Sequence, residues 1–338
     1  MTNHKRIIIC VGVITSLFAV NHALAHNNIN DDQYREIQQQ DAALIHSPQW
    51  ATRVNCNTDP EALNKAISYS RWTIQPRRFT VSGACSGPVI IAQRNIEISN
   101  DAEQSGSIVL GTGVEAQEAL RIANSTVVLK DFNIQVDSNT RAITVTQNSV
   151  ATLQNITSNA KSSTSDVLYP FVITDNSTAY ISQFSKSGFA ISGSSVAQFD
   201  ADNEDNMVDV LDTSMARSNT ANRFLAVQVS GNGYFLADNK THIDSLMIWS
   251  KAAVDVNRES SVGQLQMGGQ TLFAAYRNSS ITGPYFLYGN VVFELEHSTA
   301  SNWVKVNKPQ SILVGNNATV NGTLYPSWTW AGQDGSEP

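Results

Sequence analysis

Val254-Asp-Val256 leads to a turn at Ser260, and Phe273-Ala-Ala-Tyr276 leads to one at Ser279. Val291-Val-Phe-Glu-Leu295 then leads to Ser298, and Ile312-Leu-Val314 to Asn317. Each unit is a β run, a small polar turn and a second short β run, and the turns follow one another at intervals of 19 residues. Alternating apolar and polar residues, many of them β-branched, favour strands over helices. A fixed period of this length marks a repeat architecture. Upstream, Asn176, Ser195, Ser214 and Gly233 keep the 19-residue interval, whereas Asn124 to Asn148 is 24 and Asn148 to Asn176 is 28. Gly233 to Ser260 is 27, which reads as about eight extra residues around Asp238 to Asp244, enough for a protruding loop.

Nineteen residues leave no room for a helix. At about 3.3 Å per residue, three short strands joined by tight turns complete one circuit and rise by one strand spacing. Stacked circuits then pair each strand in parallel with its equivalents above and below. Side chains alternate inward and outward, and Asn or Ser at equivalent turns can stack into hydrogen-bonded ladders. An antiparallel sandwich would need more Asn-Gly or Asp-Gly hairpin turns and would not explain a constant period.

Composition agrees with a folded chain. Of 338 residues, 41% are apolar and only 15% charged, which excludes the charge-rich profile of disorder. A net charge of −7 gives no basic footprint for nucleic acid, so none is expected as a partner. Lys5 and Arg6, the apolar run from Ile7 to Val20, and Ala23-Leu24-Ala25 read as a secretory signal over residues 1–25. Cleavage there leaves 20 basic against 29 acidic residues, a net −9. No later stretch is long and apolar enough to span a bilayer, so a soluble exported protein, periplasmic or extracellular, is expected. Cys10 leaves with the signal. Cys56 and Cys85 remain, and in an oxidising compartment they most simply form a disulfide.

Residues 26–53 form an extension with a loose amphipathic pattern over residues 31–45, carried by Tyr34, Ile37, Ala42 and Ile45. Residues 54–338 are the repeat domain with its two ends. Thr58-Asp59-Pro60-Glu61 reads as a helix start, followed by the apolar stripe Leu63, Ala66 and Ile67. This stretch, together with Val54-Asn-Cys56 and Phe79-Thr-Val81-Ser-Gly83-Ala-Cys85-Ser-Gly87-Pro-Val-Ile-Ile91, is similar to the N-terminal cap of exported pectin-lyase-like proteins. The resemblance implies an all-β right-handed parallel β-helix whose open end is plugged by a helix. It also suggests polysaccharide lyases, hydrolases or epimerases as relatives. The hydrolase signature of that superfamily (Asn-x-Asp, Asp-Asp, Gly-His-Gly and Arg-x-Lys on successive coils) is absent here.

Candidate chemistry concentrates in three places. Asp200, Asp202, Glu204, Asp205, Asp209 and Asp212 offer oxygen ligands suited to Ca²⁺, with Asp200, Asp202 and Asp209 as the metal set. Arg217 or Arg223 would then be the base for β-elimination on a uronate. The loop is not an EF-hand, since Asp205 and Leu211 occupy the positions of its Gly and Glu. His242 lies in the long unit, where a protruding loop would wall a groove beside Lys240, Lys251, Arg258 and Arg277. Aromatic residues crowd the C-terminal third, where Tyr285 and Trp303 are candidates for stacking on sugars and Tyr325, Trp328 and Trp330 for closing the end of the stack. The expectation is a polysaccharide-binding surface protein. A Ca²⁺-dependent uronate lyase and a purely structural or adhesive protein are the alternatives.

Overall fold

The computed structural model describes residues 51–331 apart from 71, 102, 112–115, 137–139, 161–168 and 305–309. The signal, the extension up to residue 50 and its amphipathic segment lie outside the described residues. The rest is a parallel β-solenoid of about 11 turns with one short helix near its start. Strands join two 15-stranded sheets, and apart from the last strand of each sheet all pairings are parallel.

Each circuit has three walls. Val196–Phe199 pairs with Met215–Ser218, then Tyr234–Ala237, Ala253–Val256 and Leu272–Ala275, forming the first wall. In the N-terminal half a long strand turns the corner into the second wall. Arg77–Ser86 pairs its first half with Asn95–Asn100 and its second with Gly106–Val109. In the C-terminal half the second wall runs on into the third instead. Arg223–Val229 pairs with His242–Ile248 and that with Ser261–Gly269, with a bend after the second residue pair.

Two left-handed corners recur along the 19-residue coils. Gly193, Asp212, Gly231, Ser250 and Gly269 hold positive φ at the first. Lys240, Glu259, Asn278 and His297 do so at the second. The interval from Gly233 to Ser260 therefore contains no inserted loop. Ser214 and Gly233 belong to the first corner, Ser260 and Ser279 to the second, and the two corners are eight residues apart within one coil. His242 accordingly lies in the regular strand His242–Ile248, not in a loop.

Inside, the rows match across the stack. Val145, Ile173, Ile191, Val210, Val229, Ile248, Met267 and Leu287 are successive partners and all buried. Phe171, Phe189, Phe199, Phe224 and Phe235 form a chain of ring contacts with centroids 5.1 to 5.8 Å apart. Volume is exchanged between positions to keep the cross-section constant: Ala197 accompanies Phe199, and Phe235 accompanies Ala237.

The N-terminal end is covered by the helix Ala62–Tyr69, which buries Leu63 and Ile67. It starts later than its sequence signals suggest. Thr58 Oγ1 donates to the Asn55 carbonyl at 3.2 Å, and Asp59 accepts the Glu61 N–H at 3.1 Å. These residues thus close the turn in front of the helix rather than capping it. Cys56 and Cys85 form a buried disulfide that joins this turn to the strand Arg77–Ser86. At the other end Thr323–Tyr325 and Thr329–Ala331 pair antiparallel with the last coil. That reversal ends the parallel stack within the segment that contains Tyr325, Trp328 and Trp330, of which Trp328 is exposed.

Candidate functional site

Two outward features stand out, both on the coils between Asp205 and Tyr288. The first is an aromatic ledge at the end of the third wall. Trp249 leans over Gly268 on the next coil, where a Cβ would overlap its six-membered ring. It reaches Tyr288 one coil further, with centroids 6.5 Å apart and planes 23° from parallel. Only a glycine between the two rings permits this contact. Gln228, Met247, Gln266 and Phe286 are partners in the neighbouring outward row, and all are partly exposed. The wall therefore combines aromatic rings with amide side chains, and the row continues on the previous coil to Asp209, the partner of Gln228.

The second feature is a polar row on the second wall. Arg223, His242, Ser261, Ser280 and Thr299 are successive partners. Arg223 Nη1 pairs with Asp205 Oδ1 at 2.9 Å, and Nη2 with Asp244 Oδ2 at 2.9 Å. His242 Nε2 lies 2.7 Å from Asp244 Oδ1, while its Nδ1 lies 2.6 Å from Ser261 Oγ. The carboxylate accepts from Nε2–H, which fixes the tautomer and leaves the Nδ1 lone pair facing the serine hydroxyl. Beside Asp205 a shallow depression of about 320 Å³ is lined by Lys186, Ser187, Met207 and Leu225.

The remaining sequence candidates are dispersed. Asp200 follows the first-wall strand Val196–Phe199, Asp202 is exposed at a left-handed corner, and Asp209 belongs to Asn206–Val210 in the other sheet. The three do not converge as a Ca²⁺ ligand set. Among the described residues, no group of three or more His, Cys, Asp or Glu side chains is placed to hold a metal. Burial raises the Asp200 pKa, partly opposed by the hydrogen bond that its carboxylate accepts from Gln198. Burial pushes Asp209 up to about 6, against the lowering effect of the Tyr169 hydroxyl bonded to it. Arg217 is on the first wall, its guanidinium bonded to the Gln198 amide oxygen. Arg223 is on the second, between its two carboxylates, so the two arginines do not share a site.

Tyr285 is fully buried and stacks on Phe293, with centroids 5.4 Å apart. It is a core residue rather than a sugar platform, because it points inward beside outward-facing Phe286. Trp303 opens the short strand Trp303–Val304, and its side chain lies outside the described residues. Lys240 pairs with Glu259 and Arg258 with Asp238 at the second corner. Trp249 carried no repeat signal of its own. Its signal is Gly268, 19 residues later.

No protein-family model, no curated protein and no solved structure matches this chain. Among the described residues no helix is long and apolar enough to cross a membrane.

Proposed function

We propose that the protein is an exported solenoid that binds a neutral polysaccharide along its third wall, with Trp249 and Tyr288 as the stacking platform. The observation that carries this reading is the Trp249–Gly268–Tyr288 ledge, flanked by Gln228 and Gln266. Aromatic faces meet the apolar faces of sugar rings, and amides can donate to and accept from hydroxyls in the same plane. Coils spaced about 4.8 Å apart give a straight wall suited to an extended polymer. Resemblance of the N-terminal cap to that of pectin-lyase-like proteins favours a polysaccharide in general, and the buried disulfide suits an oxidising, exported setting.

A neutral glycan is favoured over a uronate because the two arginines considered for a uronate already have partners, and Asp209 places a carboxylate beside Gln228. Arg223 is held by two carboxylates and Arg217 by Gln198. Native gels containing neutral polysaccharides or pectate test the reading. Retardation by at least one neutral polymer, reduced about tenfold in apparent affinity by Trp249→Ala and unaffected by Ca²⁺, is the expected result. Retardation by pectate alone, or equal retardation of the Trp249→Ala variant, contradicts it.

A further inference from the structure

We propose that Ser261, His242 and Asp244 form a nucleophile, base and orienting carboxylate that hydrolyse carboxylic esters on the second wall. The geometry is the one activated serines require. The hydroxyl is within hydrogen-bond reach of the base, and a third group holds the base in turn. Asp244 is fixed on its far side by Arg223 at 2.9 Å, so the imidazole is oriented by an anchored carboxylate. Ser280 is the partner of Ser261 on the next coil and is partly exposed, which puts a second hydroxyl beside the reacting carbonyl.

In the first step Ser261 Oγ bonds to the ester carbon while its proton passes to His242 Nδ1. The carbonyl electron pair moves onto oxygen and returns as the carbon–alkoxide bond breaks, and the departing alkoxide takes the proton from the imidazolium. Water then adds to the acyl-serine, losing a proton to Nδ1. The bond to Oγ breaks, Oγ regains that proton and a carboxylic acid leaves. The overall reaction is ester plus water to acid plus alcohol, with no other reactant.

The relay lies on an open wall rather than in a cleft. It therefore suits a short acyl group projecting from a long molecule laid across the coils, which makes an O-acylated glycan the substrate class. That part of the inference rests on the glycan reading above. The relay itself does not.

Folded wild-type protein treated with a fluorophosphonate reagent and mapped by mass spectrometry tests the relay. One adduct is expected, at Ser261, absent from Ser261→Ala and formed at least 100-fold more slowly in His242→Ala. Asp244→Asn should lower the maximal labelling rate at least tenfold while leaving the half-saturating reagent concentration unchanged, a split that loss of structure would not give. Circular dichroism confirms that each variant keeps the β fold. No adduct, an adduct elsewhere, or an unchanged rate in His242→Ala overturns the relay. Acetate release from an O-acetylated neutral glycan is the second arm. Labelling of Ser261 without such release overturns the substrate class and leaves the relay standing.

Discussion

The two corners of the coil solve the same problem with different residues. At the first, buried serines hand hydrogen bonds up the stack. Ser149 Oγ accepts from Ser125 N–H, Ser177 from Ser149, Ser195 from Ser177 and Ser214 from Ser195, at 3.1 to 3.2 Å. This ladder stops where Gly233 replaces serine. At the second corner Asn203 Oδ1 accepts from Phe184 N–H, Asn222 from Asn203, and Ser260 Oγ accepts from Thr241 N–H. The second ladder overlaps the last two links of the first and recurs beyond it, at Thr241 and Ser260. A parallel solenoid thus needs its turn N–H groups satisfied by side chains, though not always at the same corner.

Breaking the core between the corners should cost most. Phe199 touches the rings of Phe189 and Phe224, and its carbonyl accepts from Asn222 Nδ2. Phe199→Ala should lose about 3–5 kcal/mol in denaturant unfolding, since the rigid coils above and below prevent collapse. Asn222→Ala comes next, at about 3 kcal/mol. Asn222 accepts from Asn203 and donates to both Phe199 O and Ser218 Oγ, so several buried groups lose partners at once. Ser195→Ala orphans only the buried Ser177 N–H and should cost about half as much. Equal losses for Asn222 and Ser195 would mean the two ladders are equivalent.

The left-handed positions give a sharper contrast. At Gly231 a Cβ would sit 2.9 Å from the Asp212 backbone nitrogen, so Gly231→Ala should cost about 1–2 kcal/mol. At the second corner Glu259 already holds φ 63 with a Cβ and is exposed. There Glu259→Gly should stay within about 0.5 kcal/mol of wild type, because relief of strain offsets the added freedom of the unfolded chain. Comparable effects at both sites would remove the distinction.

Asp209 gives a pH signature of similar or smaller size. Its folded-state pKa of about 6 lies above the unfolded carboxylate value of about 3.9. The folded chain therefore binds the proton more tightly, and stability falls as pH rises from about 4 to about 6. Asp209→Asn removes that dependence. It should gain roughly 1 kcal/mol at pH 7.5, discounted for partial solvent access, and nothing near pH 3. A variant less stable than wild type at pH 7.5 contradicts the assignment.

The period and parallel coil were legible because 19 residues cannot hold a helix and because apolar alternation survives in the C-terminal coils. The capping helix and the cysteine pair were legible from local signals, although Thr58 and Asp59 close a turn instead of capping. The two corners were not separable, because Ser, Asn and Gly serve both, so eight residues of ordinary coil read as an insertion around Asp238 to Asp244. That error hid the polar row, since Arg223, His242 and Ser261 are themselves 19 apart. Tyr285 failed for a parity reason. Beside Phe286, only the pairing of Tyr285 with inward-facing Leu265 shows which ring enters the core. The acidic cluster dissolved because neighbours along the chain turn a corner onto different walls.

Both the ledge and the relay depend on an uninterrupted coil through residues 233–260, which one cross-linking measurement tests. Ser245 is the partner of Gln264 on the next coil and of Ala226 on the previous one. The variant Ser245→Cys/Gln264→Cys places two outward thiols about 5 Å apart at Cα, within disulfide range. The Ala226→Cys/Gln264→Cys control places them two coils, roughly 10 Å, apart, beyond that range. Mild oxidation followed by peptide mass mapping should show complete linkage in the first and none in the second. A failure to link 245 with 264 would mean that this stretch loops out, and would remove the register on which both sites stand.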